Sequence, residues 1–123
     1  MVAINFSADH APKVESGEKN QTIRQTRRGK VGDRCQLYTG QRTKECRKLR
    51  SDDPPLLHVT RCHIRPDGFV VGNTKGVPKD KDVFARADGF KDYKTMVAWF
   101  KARYGSETFV GFLHVWARKP VTK

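Results

Sequence analysis

Three side chains able to do chemistry fall inside the stretch GEKNQTIR, Gly17 to Arg24. Lys19 carries an amine, Thr22 a hydroxyl and Arg24 a guanidinium. An amine takes up a proton only when it is neutral, and burial beside a cation such as Arg24 lowers its pKa toward that state. A hydroxyl near a neutral amine can serve as a nucleophile or orient a water, and a guanidinium can steady an oxyanion or hold a phosphate. A plainer account of the same residues also exists. Thr22 is then an ordinary β-former, Arg24 a strand lock paired with Asp33 or Asp88, and Lys19 one more phosphate contact.

Either role depends on the elements that carry these side chains. HAPKVESGEK reads as a short helix, with Pro12 suited to its first turn and Gly17 to its C-terminal cap. NQTIR, Asn20 to Arg24, then resumes extended structure. Side chains alternate along a strand, so Thr22 and Arg24 share one face while Ile23 points the other way into the core. Lys19 sits at the mouth of that strand, so the three polar groups can converge on one cleft. VAINF, Val2 to Phe6, reads as a strand. Gly32-Asp33 marks a turn, and RCQLYTG a strand closed by Gly40. QRTKECRKL is expected to be a further, very basic strand, and SDDPP a loop. LLHVTRCHIRP and GFVVGN form a hairpin around Pro66, Asp67 and Gly68. A polar loop, TKGVPKDKD, leads into VFARADGF. In KDYKTMVAWFKARYG, Tyr93, Met96, Val97, Phe100 and Tyr104 make one helical stripe that ends at Gly105. TFVGFLHVWAR is apolar at nearly every position, as in a strand buried on both faces. These signals sum to five to seven strands with two or three helices, a small α+β domain on a curved sheet or barrel.

A chain of 123 residues is long enough for one core. A single domain over residues 1–118 with a C-terminal tail, 119–123, is expected. No apolar run approaches a membrane span and no signal-peptide layout opens the chain, so a cytoplasmic protein without membrane partners is expected, monomeric by default. The formal charge is +12 and the pI about 10.0. From Arg24 to Arg50 ten Lys and Arg face two acids, Asp33 and Glu45, which favours a polyanion as partner, RNA or DNA first. Arg27, Arg28, Lys30, Lys44, Arg47 and Lys48 are candidate nucleic-acid contacts. Tyr38 with Arg42 is the preferred RNA contact, a ring able to stack beside a cation. Trp99 and Trp116 are further rings, Trp99 better suited to packing. Cys35, Cys46 and Cys62 show no metal-ligand spacing and read as ordinary thiols. His63 and His114 are weaker acid–base candidates, with His114 read as a satisfied core or cleft histidine. His10 and His58 show no ligand spacing. No metal or cofactor is called for.

The string Gly17-x-Lys19-x-x-Thr22-x-Arg24 resembles the signature of the ASCH domain, a PUA-like β-barrel fold. VGD (Val31 to Asp33), QLYTG, ADGF (Ala87 to Phe90), the helix after it and the closing TFVGFLHVW follow in the same order, from Val2 to Trp116. LYTGQRTKECRKL is similar to a subgroup of small ASCH proteins common in bacteriophage and prophage genomes. The resemblance implies an RNA- or nucleoside-directed protein. Some small members are amidohydrolases that remove the acetyl group of N(4)-acetylcytidine, and others are described as single-strand ribonucleases. Carried over residue by residue, the family lysine falls on Lys19 and the threonine on Thr22. The family glutamate falls on Asp88, one methylene shorter. Arg24 then stabilises the oxyanion or binds substrate. A binding module without catalysis is the alternative, and a ribonuclease using Lys19 with His63 or His114 is the third.

Overall fold

The computed structural model describes residues 2–72 and 77–117. The expected tail, 119–123, and Thr74–Gly76 of the expected polar loop lie outside them. Within the described residues the chain runs β1 (Val2–Phe6), α1 (Ala11–Ser16), β2 (Gln21–Arg24), β3 (Cys35–Thr39), β4 (Arg47–Lys48), β5 (Leu56–Arg65), β6 (Gly68–Val71), α2 (Lys81–Ala87), α3 (Tyr93–Tyr104) and β7 (Phe109–Trp116). The class is α+β. No helix among these residues is long and apolar enough to cross a membrane.

The helix boundaries follow local chemistry. Pro12 stands in the first turn of α1, and Gly17 ends it at φ 89°. Asp80 caps α2 by accepting from the Asp82 and Val83 amides, and Asp92 caps α3 by accepting from Thr95. Gly105 closes α3 at φ 74°. The stripe on α3 buries Tyr93, Met96 and Phe100, with Val97 and Tyr104 packed at its margin.

The strands form two sheets, in the orders β1-β3-β4 and β2-β7-β5-β6. β1 runs parallel to β3, with Val2 opposite Cys35, and all other pairings are antiparallel. β7 is the hub. Its Phe109, Leu113 and Val115 pack with Ile23, Ile64, Phe84 and Met96 on the side of α2 and α3. Trp116 packs from the opposite face against Ile4, Phe6, Leu37 and Leu56. Burial on both faces over residues 113–116 explains the apolar second half of β7, whereas Val110 and Phe112 lie on a face that is open. Each fully buried side chain, such as Leu113, contributes roughly 1.5–3 kcal/mol.

Two expectations need correction. Among the described residues the sheets do not close into one barrel. Where β1 and β2 approach, side chains take the place of a backbone ladder: Arg24 Nη2 donates to the Asn5 carbonyl at 2.8 Å and Arg28 Nη2 to the Ala3 carbonyl at 3.2 Å. QRTKECRKL is not a strand beyond Arg47–Lys48. Gly40 and Arg42 both take φ 67°, and the Thr43 hydroxyl donates to the Gly40 carbonyl at 2.6 Å. A Thr side chain bonding its own turn competes with a ladder, and a segment with almost no apolar residue has no buried face to set a register.

Gly111 fixes how closely β2 can lie against β7. A Cβ there would stand 2.5 Å from the Arg24 carbonyl oxygen and 2.7 Å from the Phe109 ring. Gly111→Ala is therefore expected to cost about 1–3 kcal/mol by overpacking. Urea denaturation checks this; an unchanged midpoint would show that β2 is free to shift.

Candidate functional site

A cleft of about 340 Å³ opens along the free edge of β2. β1 and the start of α1 supply Asn5, Phe6, Ser7 and His10, β2 supplies Thr22 and Arg24, and Asp88 and Phe90 come from the turn after α2. Trp99, Phe100, Arg103 and Tyr104 of α3 complete the wall. Local structure sets each position. The left-handed Gly17 ends α1 and turns the chain so that the Lys19 amide donates to the Lys13 carbonyl at 3.0 Å. The Asn20 amide donates to the Ala87 carbonyl at 3.0 Å, which ties the start of β2 to the end of α2. Asp88 is the C-cap of α2, and Gly89 follows at φ 94°. A Cβ on Gly89 would stand 2.9 Å from His10 Nδ1 and 3.0 Å from the Lys19 side chain, so the floor of the cleft needs glycine there.

Lys19 and Asp88 lie at the base, each only 3% exposed. Lys19 Nζ donates to the Gln21 carbonyl at 2.8 Å and to the Asp88 carbonyl, and stands 3.8 Å from Asp88 Oδ2. Gln21 Nε2 donates to Asp88 Oδ1 at 3.3 Å. Burial draws the Lys19 ammonium down to about 8, with Arg24 and Lys13 adding and Asp88 opposing. Burial pushes the Asp88 carboxyl up to about 6 against Lys19, Gln21 and Arg24. The pair is thus held nearer to exchanging its proton than either group in water.

Arg24 Nε donates to Thr22 Oγ1 at 3.2 Å. Its guanidinium lies 5.3 Å from the Phe6 ring centroid, and Lys19 Nζ lies 5.6 Å from the same ring. Arg103 stacks over Trp99 and Tyr104 at 5.7 and 5.9 Å. Burial first, and then the neighbouring Arg28, lower the Arg24 guanidinium pKa, with Arg103 adding less. The mouth is therefore strongly positive.

The structure brings Lys19, Thr22, Arg24 and Asp88 into one cleft, with Trp99 also in its lining, and leaves the other catalytic and nucleic-acid candidates outside it. Tyr38 is half-buried on the outer face of the three-stranded sheet, opposite Lys48, and Arg42 is exposed in the turn after β3. Arg47 makes a bidentate pair with Glu15 at 2.6 and 3.0 Å, and Lys48 pairs with Asp53 at 2.6 Å. Pairs this open to solvent add little to stability. Arg27, Arg28, Lys30 and Lys44 are exposed, but Arg28 already donates to β1. Arg24 pairs with neither Asp33 nor Asp88 by hydrogen bond; its donors go to Asn5 and Thr22. His114 is fully buried and its Nε2 accepts the Arg28 amide at 2.9 Å. Burial draws its pKa down to about 4, which keeps it neutral. His63 lies on β5, away from the cleft lining. Cys35 and Cys62 are buried free thiols, Cys46 an exposed one. Among the described residues no three His, Cys, Asp or Glu side chains converge to hold a metal.

Two cleft residues, His10 and Trp99, and one buried neighbour of Asp88, Gln21, escape sequence reasoning. His10 precedes a Pro-started helix, and its ring meets Phe90 edge-on at 5.7 Å. Burial, then Lys19, draw its pKa down to about 4. Gln21 faces Asp88, although Thr22 and Arg24 draw attention away from it. Trp99, read as a packing residue, is 40% exposed at the lip, where Phe90, Phe100 and Tyr104 border its ring and Arg103 lies over it. The only signal for it is its place one residue off the α3 stripe. Compared with models of known protein families, with curated proteins and with solved structures, the chain finds no match.

Proposed function

We propose that this α+β domain is an ASCH-type, PUA-like protein that hydrolyses the amide of an acetylated cytidine, N(4)-acetylcytidine or a related modified base. One observation carries the reading: a fully buried Lys19–Asp88 pair at the floor of an open cleft, with the Thr22 hydroxyl and Arg24 guanidinium bonded to each other on its wall. Buried pairs with opposed pKa shifts in a cleft are typical of acid–base sites.

No hydrogen bond joins Lys19 to Thr22, which favours an attacking water over a threonyl nucleophile. Two acceptors hold Lys19 closely, and the third direction of Nζ points toward Asp88 Oδ2 across 3.8 Å. A water entering there gives its proton to neutral Lys19 as its oxygen bonds to the acetyl carbon. Arg24 and Thr22 steady the oxyanion that forms. The C–N bond then breaks, the leaving nitrogen takes the proton back from the Lys19 ammonium, directly or through Asp88, and cytidine and acetic acid depart, the acid passing its proton to solvent.

The base must be neutral, so kcat/KM is expected to rise with pH through about 8, following Lys19. Asp88 holds that value up, so Asp88→Asn is expected to move the inflection to lower pH. Cytidine release from N(4)-acetylcytidine, followed by chromatography across pH 6 to 10, tests both. No release at any pH would remove the enzyme.

A second reading, a binding module for RNA, has its own support. In the ammonium form Lys19 donates to two backbone carbonyls and stands 3.8 Å from the Asp88 carboxylate, as in a structural pin. Binding without turnover would favour it. Nothing supports a ribonuclease built on His63 or His114, since neither lines the cleft.

A further inference from the structure

The face of the four-stranded sheet turned away from α2 and α3 is covered at one end and bare at the other. At the covered end Trp116 packs into the second core, with Val59 at its edge. Beyond it, register sets Arg24, Phe112 and Arg61 side by side across β2, β7 and β5. The next row is Val110, His63 and Val70 across β7, β5 and β6. Directly paired residues of antiparallel strands point to the same face. Phe112 is half-buried, and the Arg61 guanidinium lies 5.5 Å from its ring centroid. Val110 and Val70 are 46% and 48% exposed. None of the four strands contains Asp or Glu, and among the described residues Arg61 joins no ion pair.

A partly open ring beside the Arg61 guanidinium, on a sheet without carboxylates, matches one kind of ligand. It suits a chain of stacking bases joined by anions, since any base offers a π face to Phe112 and Arg61 meets a flanking phosphate. A duplex hides those faces. Arg24 belongs both to this row and to the cleft wall, so the two surfaces are continuous.

We propose that this bare face binds single-stranded RNA, with Phe112 stacking a base and Arg61 contacting a phosphate, and that it delivers a neighbouring nucleotide to the cleft. The delivery step and the preference for RNA over DNA rest on the hydrolase reading; a face for single strands rests on its own residues.

Fluorescence anisotropy of the full chain with a short, labelled, mixed-sequence single-stranded RNA tests it, beside the same sequence as DNA and as an RNA duplex. Single-stranded RNA is expected to bind most tightly. Phe112→Leu is expected to raise Kd by about 5- to 100-fold through lost stacking. Arg61→Gln, at an exposed site, is expected to reduce the slope of log K against log salt by about 0.7. An Arg42→Gln/Lys44→Gln double variant is expected to change Kd less than either. Unchanged binding in both the Phe112 and Arg61 variants would overturn the proposal. So would a loss carried by the Arg42/Lys44 variant alone, or duplex or DNA bound as tightly as single-stranded RNA. Cytidine release from free N(4)-acetylcytidine is expected to survive Arg61→Gln. Absence of release from the wild type, with RNA binding intact and lost in the Phe112 variant, would refute the hydrolase and the delivery step and leave the face established.

Discussion

Lys19→Met is expected to lower kcat/KM for N(4)-acetylcytidine by about 10²–10⁴-fold, the range for loss of a general base. Methionine keeps the length of the stem and removes the proton acceptor. Lys19→Arg separates the two accounts of this residue. A guanidinium keeps the positive charge but does not give up a proton at these pH values. If Lys19 is a base, the Arg variant is as inactive as the Met variant. If Lys19 only pins β2 to the turn at Asp88, the Arg variant keeps what the Met variant loses. Turnover in Lys19→Met within twofold of wild type would sink the catalytic role, since no other amine in the cleft lining sits beside Asp88.

The second large effect is on stability. Asp88→Asn leaves the Lys19 ammonium buried without its counter-charge and is expected to cost about 3–5 kcal/mol. Replacing both partners by apolar groups, Lys19→Met with Asp88→Leu, is expected to recover most of that loss, because neither charge then needs solvating. The pH dependence carries the same signature. Asp88 titrates near 6 when folded against an ordinary 3.8, so between these values the folded chain holds a proton the unfolded chain has released, and stability falls as pH rises. Lys19 titrates near 8 when folded against an ordinary 10.5, so there the unfolded chain holds the extra proton, and stability rises with pH. Both limbs are expected to flatten in the double variant. Urea midpoints from pH 3.5 to 10.5 check this. A cost below 1 kcal/mol for Asp88→Asn, with flat limbs in the wild type, would mean that water reaches the pair.

The local elements were legible because their signals are local. Pro12 and Gly17 bracket α1, Gly105 ends α3, and the spacing of Tyr93, Met96 and Phe100 marks the face it buries. Alternation in QTIR sends Ile23 into the helix-side core and brings Thr22 and Arg24 into contact. The basic turn after Gly40 was misread, because Thr43 bonding its own backbone leaves no mark that differs from a polar strand.

The chemistry available is written in the residue order: Lys19, Thr22 and Arg24 within one stretch, charge concentrated from Arg24 to Arg50, and a closing strand apolar at nearly every position. What that chemistry meets depends on how distant segments pack. Asp88 lies far along the chain from Lys19, yet the two share a buried floor because the Asn20 amide is tied to the Ala87 carbonyl. His10 and Trp99 enter the cleft, and Gln21 meets Asp88 beside it, through contacts between elements, which no spacing along one strand or helix encodes. The same separation applies to charge. Arg47 and Lys48 look identical to Arg61 in a charge count, but the fold places carboxylates beside the first two and an open aromatic ring beside the third. Electrostatic energy depends on distance and burial, and both are properties of the folded chain.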